Sequence, residues 1–154
     1  MPTISIITCT RNPDPDALRR VLVGIEALRV PAGWDREFIV VDSASTPPCG
    51  ELVEAYTSSI PHLTYLRENA PGLARARNRG LEAAGGDIVA FVDDDAAPHY
   101  HWARRIVEPF HDPSVGCVGG SCRAFFPDCE RPHWLSDRLL QFAGITRFET
   151  PREA

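Results

Sequence analysis

Residues 85–95 read Gly-Gly-Asp-Ile-Val-Ala-Phe-Val-Asp-Asp-Asp: two glycines, an acidic step, a continuous apolar run and three adjacent carboxylates. An uninterrupted apolar run suits a strand covered on both faces, as in a parallel α/β sheet, and not the alternation of a half-exposed strand. The strand expected at 87–92 therefore sets the fold class, and its neighbours in sequence extend the pattern. Upstream, residues 72–84 read as a helix rich in Ala and Arg, closed by Gly85-Gly86 as a C-cap. Before it come a strand at 63–67, a short helix at 51–59 and a turn rich in Ser, Thr and Pro at 43–50. A buried strand at 37–42 precedes that turn. At the amino end a β-branched run at 4–9 stops at Asn12-Pro13-Asp14-Pro15, where Asp14 or Asp16 caps a helix at 17–28. Leu18, Val21, Leu22, Ile25 and Leu28 fall on one face of that helix, which Pro31-Ala32-Gly33 ends.

Downstream of the acidic triplet the pattern predicts a helix at 100–110 and a strand at 115–118 before Gly119-Gly120. Beyond Arg123 the periodicity weakens, leaving a helix at 134–142. Alternating strands and helices give an α/β, Rossmann-like domain with a mostly parallel sheet flanked by helices. With neither repeat nor linker, residues 1–154 read as a single domain: a core at 1–120 and a further segment at 121–154.

Composition narrows the function. The chain has 154 residues, 44% hydrophobic and 24% charged, which is ordinary for a globular domain. A net charge of −5 argues against a nucleic-acid binder, which needs a basic surface to neutralise phosphates. All 16 cationic side chains are Arg, so any mechanism that requires a lysine is excluded. The opening MPTISIITCTRN reads as a strand, not a signal peptide. No stretch approaches the roughly 20 apolar residues that span a bilayer. The 5 cysteines lack paired CxxC spacing, so reduced, mostly buried thiols in a cytoplasmic protein are expected in place of a zinc site.

In a parallel α/β sheet, ligands gather outside the carboxyl ends of the strands. Three strand ends here carry polar groups: residues 8–11, Asp42-Ser43, and Asp93-Asp94-Asp95. If the last strand stays extended, Asp93 and Asp95 project to one side and Asp94 to the other. Three adjacent carboxylates repel one another unless a cation or hydrogen-bond donors stabilise them. An all-oxygen set suits a hard cation such as Mg²⁺ or Mn²⁺. By itself the triplet reads equally well as a solvated acidic turn.

The surroundings decide between the two. Residues 69–80, Asn-Ala-Pro-Gly-Leu-Ala-Arg-Ala-Arg-Asn-Arg-Gly, followed by 85–95, closely resemble the family 2 glycosyltransferases of the GT-A fold. That family shows a G-x-x-x-A-R-N helix, a G-[DE] step, an apolar strand and D-x-D. Cys9-Thr10-Arg11-Asn12 resembles its first strand end. Val41-Asp42-Ser43-Ala44-Ser45 resembles its V-D-[DN]-x-S, with Ser43 departing from the usual Asp or Asn. Residues 112–116 and 118–120 resemble its later strand, so the likeness runs over about residues 3–120.

The resemblance implies a nucleotide-diphosphate sugar donor and metal-dependent transfer with inversion. Asp42 would accept a hydrogen bond from the base, favouring UDP or dTDP. Thr8 and Arg11 would border the nucleotide pocket, and Gly72 would let the chain approach the diphosphate at a helix N-terminus. Arg75 and Arg77 would add positive charge there, against their plain reading as solvated helix arginines. Asp94 would contact the ribose, Asp95 would ligate Mn²⁺ or Mg²⁺, and Asp93 stands for either role. The cation would bridge carboxylates to diphosphate and stabilise the leaving group.

The acceptor is unknown, and the family's base lies in an acidic motif that this sequence does not show. Asp128, Glu130, Asp137, Glu149 and Glu153 read as surface charges. The expectation is a C-terminally truncated domain in which 121–154 begins the acceptor-side segment. The alternative is a catalytically incomplete nucleotide-binding or interaction domain. His99 and His101 read as surface residues, and Trp102 and Trp134 as core or rim packing. A haloacid-dehalogenase-like phosphatase would need Thr or Val where Ala97 stands, and a lysine. A response-regulator receiver would need a lysine as well, and a nucleotidylyltransferase a glycine-rich basic loop after the first strand.

Overall fold

A computed structural model describes residues 1–126, 129–140 and 145. The chain divides into two compact units, Met1–Gly116 and Cys117–Ala154. The first unit holds strand β1 (Thr3–Thr10), helix α1 (Pro15–Glu26), β2 (Asp35–Ser43), α2 (Gly50–Glu54), β3 (Leu63–Glu68), α3 (Leu73–Ala83), β4 (Ile88–Phe91) and α4 (Trp102–Val107). The described part of the second unit contains one short helix, α5 (Asp137–Leu140).

The four strands form one all-parallel sheet in the order β3-β2-β1-β4. Their carboxyl ends therefore open on one edge. Two successive crossovers carry the chain outward from β1 to β3, and the third brings it back to the far side of β1. Right-handed crossovers then place α1 and α2 on one face and α3 on the other. The reversal lies between β1 and β4, the position where such sheets bind ligands.

Side-chain alternation fills both layers. Ile7, Ile39 and Val41 pack with Ala76 of α3. Ile4, Ile6, Phe38 and Val40, of the opposite parity, are equally buried. On α1 the stripe of Leu18, Val21, Leu22 and Ile25 is at most 1% exposed, each side chain contributing about 1.5–3 kcal/mol of transfer free energy. Between the two candidate caps, Asp14 is the N-cap, accepting from the amides of Asp16 (2.8 Å) and Ala17 (2.9 Å). The helix ends at Glu26, and Leu28, though buried, lies beyond it.

The Gly86-Asp87 step fastens β4 to β1. Asp87 accepts from the Thr3 amide at 2.9 Å and returns a backbone bond to the Thr3 carbonyl at 2.8 Å. A side chain on Gly86 would start 2.5 Å from Ser5 Oγ and 2.8 Å from backbone, so only glycine fits.

Several expectations need correction. Residues 115–118 form no strand. Gly116, Gly119 and Gly120 flank and interrupt the run, and no described strand pairs with it, so its backbone gains nothing from extension. The helix expected at 100–110 covers only Trp102–Val107 and passes into a 3-10 turn, Glu108–His111. Pro109 accounts for this, since it has no amide and its ring crowds the preceding turn. The helix at 51–59 is confined to Gly50–Glu54. The helix at 134–142 is described only as Asp137–Leu140, and residues 141–142 lie outside the described residues. Of the cysteines, Cys49 is buried and Cys9 partly so, while Cys117, Cys122 and Cys129 are exposed, so the thiols are not mostly buried. Trp102 is half-buried and Trp134 exposed. No helix among the described residues is long and apolar enough to cross a membrane.

Candidate functional site

A cleft of about 310 Å³ opens at the carboxyl ends of the strands. From β1 and the residue after it come Cys9, Thr10 and Arg11; from β2, Ser43. The start of α3 supplies Gly72, Leu73 and Ala76, and the acidic turn supplies Asp94. The cleft thus lies at the reversal between β1 and β4, where the parallel topology places a ligand. A smaller depression, about 200 Å³, lies along α4 between His101, Arg104, Arg105 and Glu108. It gathers no strand-end residue, and Arg104 is already paired with Glu108 at 2.7 Å.

Gly72 is the N-cap of α3, with φ 148° and ψ 128°, a conformation that side chains rarely adopt. No side chain caps the helix and its first turn holds no acidic residue. Its first amides have no partner within the helix, and they carry the positive end of the helix dipole. Ser43 fixes this N-terminus. The Gly72 amide donates to Ser43 Oγ at 3.0 Å, and the hydroxyl points back to the Gly72 carbonyl at 3.4 Å.

Opposite stands the acidic turn. β4 ends at Phe91, so the condition under which Asp93 and Asp95 would share one side of an extended strand is not met; Asp94 and Asp95 lie in a turn. Asp94 is half-buried, and its Oδ2 accepts a hydrogen bond from the Thr10 hydroxyl. Asp93 and Asp95 are exposed; the Asp93 carbonyl accepts from the Ala96 amide at 3.1 Å, and neither carboxylate forms a hydrogen bond or ion pair among the described residues. No three His, Cys, Asp or Glu side chains among the described residues converge as a complete metal site. What the turn offers is a partial, all-oxygen set, suited to a hard cation that takes its remaining ligands from a bound anion.

The cleft wall is electrostatically mixed. Burial pushes the Cys9 thiol up to about 11; Asp93 and Asp94 add to that shift, and Arg77 opposes it. Arg77 also stands over the Phe91 ring at 5.6 Å. Arg75 is exposed, its stem beside Gly72.

Of the expected site residues, Arg11, Gly72 and Asp94 line the cleft; Arg75, Arg77, Asp93 and Asp95 are exposed outside its lining, and Thr8 and Asp42 are buried. Thr8 is fully buried below the cleft, its hydroxyl without a partner. Asp42 is also fully buried and does not line the cleft. Alternation explains it: Ser43 shares the α3 side with Ile39 and Val41, so Asp42 turns to the other face. There its Oδ1 accepts from the Ser45 amide at 2.7 Å. Its Oδ2 accepts from the Cys49 amide (3.1 Å), the Tyr65 hydroxyl (2.8 Å) and Arg67 (3.1 Å). A direct bond from Asp42 to a base does not fit this placement, and the preference for UDP or dTDP loses the contact on which it rested. Conversely, Cys9, Thr10 and Ser43 line the cleft, although the sequence named them only as strand-end residues and assigned them no role there. The parity of β2 and the strand-end position of Thr10 were the available signals.

A model of glycosyl transferase family 2 matches residues 5–153. The chain belongs to that family. Among its relatives, glycosyltransferase AglE of Haloferax volcanii is 29% identical over 83% of this chain and 42% of its own length. The succinoglycan biosynthesis protein ExoM of Rhizobium meliloti is 30% identical over 86% of this chain and likewise 42% of its own. The chain thus spans less than half the length of these relatives. Among solved structures, the mannosyltransferase PcManGT from Pyrobaculum calidifontis, in complex with GDP-Man and Mn²⁺, superposes with a TM-score of 0.65. It is 32% identical, over 75% of this chain and 35% of that one. TarS 1-349 of S. aureus, in complex with UDP-GlcNAc, gives 0.62 at 26% identity, over 73% of this chain and 32% of that one. The GT-A fold of this family-2 chain is thereby established.

Proposed function

We propose that the cleft binds the diphosphate of a nucleotide-sugar donor, and that the first unit is the donor-binding part of a glycosyltransferase. The observation that carries this reading is the pairing, in one cleft, of an uncapped helix N-terminus at Gly72 with Asp94, whose neighbours Asp93 and Asp95 flank it in the acidic turn. The helix end favours an anion. The carboxylates repel one unless a cation lies between them. Asp95 and Asp93 would hold that cation, Mn²⁺ or Mg²⁺, and both are exposed and uncommitted to other groups. Asp94, steadied by Thr10, faces the cleft beside them and is assigned to the sugar or ribose hydroxyls. When bound, the cation would neutralise charge developing on the departing nucleoside diphosphate.

The chain's own residues bind and orient. The first amides of α3 hold phosphate oxygens. Arg11 borders the nucleotide side, and Arg77, beside Cys9 and the acidic turn, adds positive charge. PcManGT, solved with GDP-Man and Mn²⁺, and the glucosyl-3-phosphoglycerate synthase of Mycobacterium tuberculosis, solved with UDP and Mn²⁺, support a nucleotide and cation here. Their bases differ, so the base is left open. Inversion at the anomeric carbon needs a base for the acceptor hydroxyl. No carboxylate of this chain is assigned to it: Glu130 is exposed, only the backbone of Asp137 is described, and Asp128, Glu149 and Glu153 lie outside the described residues.

Calorimetric titration of UDP, GDP and dTDP, with Mn²⁺ and then with EDTA, tests the reading. Binding is expected with Mn²⁺ and should weaken strongly in EDTA. Asp95→Ala should abolish that metal dependence without unfolding the protein. Equal binding by wild type and variant would sink the metal assignment, and no nucleotide binding by a folded protein would sink the donor site.

A further inference from the structure

The carboxylate of Asp42 has no exposure, yet it is tied to both walls of the cleft. Its Oδ1 holds the Ser45 amide, and Ser45 Oγ accepts from the Asn12 amide at 2.8 Å. Asn12 Oδ1 in turn accepts from the Thr46 amide, also at 2.8 Å. Arg67 bonds Asp42 with one nitrogen and the Ser45 carbonyl with another, both at 3.1 Å. Asn12 directly follows Arg11, and Ser43 directly follows Asp42. One buried anion therefore fixes a loop whose first residue clamps Gly72 and whose middle holds the backbone beside Arg11. Asn12 and Ala44 sit at φ 49° and 56°, left-handed conformations that need such external bonds to persist.

We infer that Asp42 is a positioning residue for the donor cleft, which it shapes for any nucleoside diphosphate through the Ser45–Asn12 and Ser43–Gly72 bonds without touching the base. This inference rests on the proposed donor site. It differs from a base-reading role in what a substitution does. A carboxylate that reads an imide N–H selects UDP and dTDP over CDP and ADP, and its loss is felt by the first two alone. A positioning carboxylate serves all four equally, and its partners Tyr65 and Arg67, which do not line the cleft, share its effect.

The test compares wild type, Asp42→Asn, Tyr65→Phe and Arg67→Met by calorimetric titration of the four nucleotides with Mn²⁺, together with amide hydrogen exchange at Gly72. Asp42→Asn is expected to weaken all four by about the same factor, roughly tenfold, as for a lost hydrogen bond to a charged group. Arg67→Met should reproduce much of that loss and Tyr65→Phe a part of it. Exchange at Gly72, which Asp42 does not touch, should quicken in Asp42→Asn and in Arg67→Met. A loss confined to UDP and dTDP, with the Tyr65 and Arg67 variants unaffected, would overturn the inference. So would unchanged exchange at Gly72. Should Asp42→Asn fail to fold, Arg67→Met carries both readouts. If the wild type binds no nucleotide at all, the donor-site reading fails, while exchange at Gly72 still decides whether Asp42 positions the cleft.

Discussion

Thr10 and Asp94, 84 positions apart, are joined by a hydrogen bond from the Thr10 hydroxyl to Asp94 Oδ2. Thr10 is 3% exposed, so bulk water does not compete for that hydroxyl. The bond ties the end of β1 to the acidic turn and leaves Asp94 Oδ1 for a ligand. Thr10→Val keeps the volume and deletes the donor. Mn²⁺-dependent nucleotide affinity is expected to fall about tenfold, the size of one hydrogen bond to a charged group. Thr10→Ser, which restores the hydroxyl, should recover most of it. Equal affinities for wild type and Thr10→Val would show that the turn is held by other means.

Gly80 sets two effects against each other. Alanine in the middle of α3 gains about 1 kcal/mol of helix propensity. The added Cβ, however, would stand 2.6 Å from Ile7 Cγ2 and 3.3 Å from Val41 Cγ2. Both neighbours are fully buried between sheet and helix and have nowhere to move. Overpacking of this kind costs about 1–3 kcal/mol, so the clash wins. Gly80→Ala should lower the urea midpoint with an unchanged denaturant slope. A raised midpoint would mean that α3 slides away from the sheet without penalty.

The strands and the two long helices were legible because their signals are local and repetitive. Leu18, Val21, Leu22 and Ile25 mark one helix face in any context, and a run such as residues 88–92 has few other uses. The acidic turn and Gly72 were legible as a pattern of residue types. What escaped depended on partners distant in sequence. Asp42 reads as a site residue until the parity of β2 is followed one position further, and then Tyr65 and Arg67, more than twenty residues away, claim its oxygens. Thr10 gains its meaning only from Asp94. The strand expected at 115–118 had the composition of a strand and no neighbouring strand among the described residues to pair with.

The thiols separate into two groups. Burial pushes Cys9 up to about 11 and Cys49 up to about 12, with Asp42 adding to the second shift. At pH 8 neither is appreciably ionised, and the thiolate is the reactive form. Cys117, Cys122 and Cys129 are exposed. Titration of the native protein with an aromatic disulfide reagent should therefore show a fast phase from exposed thiols. Cys49 should react only as the protein opens, Cys9 slowly because its partly buried thiol stays protonated, and denaturant should merge the phases. Fast labelling of Cys9 in the native state, identified by peptide mapping, would show that burial does not hold its thiol protonated.

Asp42 ties part of the fold's stability to pH. Burial pushes its carboxyl up, but hydrogen bonds from Ser45, Tyr65 and the Cys49 amide outweigh burial and hold it below the ordinary carboxylate range. A carboxyl whose folded value lies below its unfolded value of about 4 stabilises the fold above that pH. The contribution is lost as pH falls through the folded value. Tyr65 behaves in the mirror sense. Burial, with the Asp42 bond adding, pushes its phenol up to about 12, so its contribution is complete below about 10 and lost as pH rises toward 12. Urea midpoints of wild type and Asp42→Asn should therefore differ by a constant amount from pH 5 to 8 and converge below about pH 4. Tyr65→Phe should flatten the alkaline fall and, by removing one donor to Asp42, move the acid limb upward in pH. A gap between wild type and Asp42→Asn that persists undiminished to pH 2 would mean that the ionised carboxylate is not what the loop recognises.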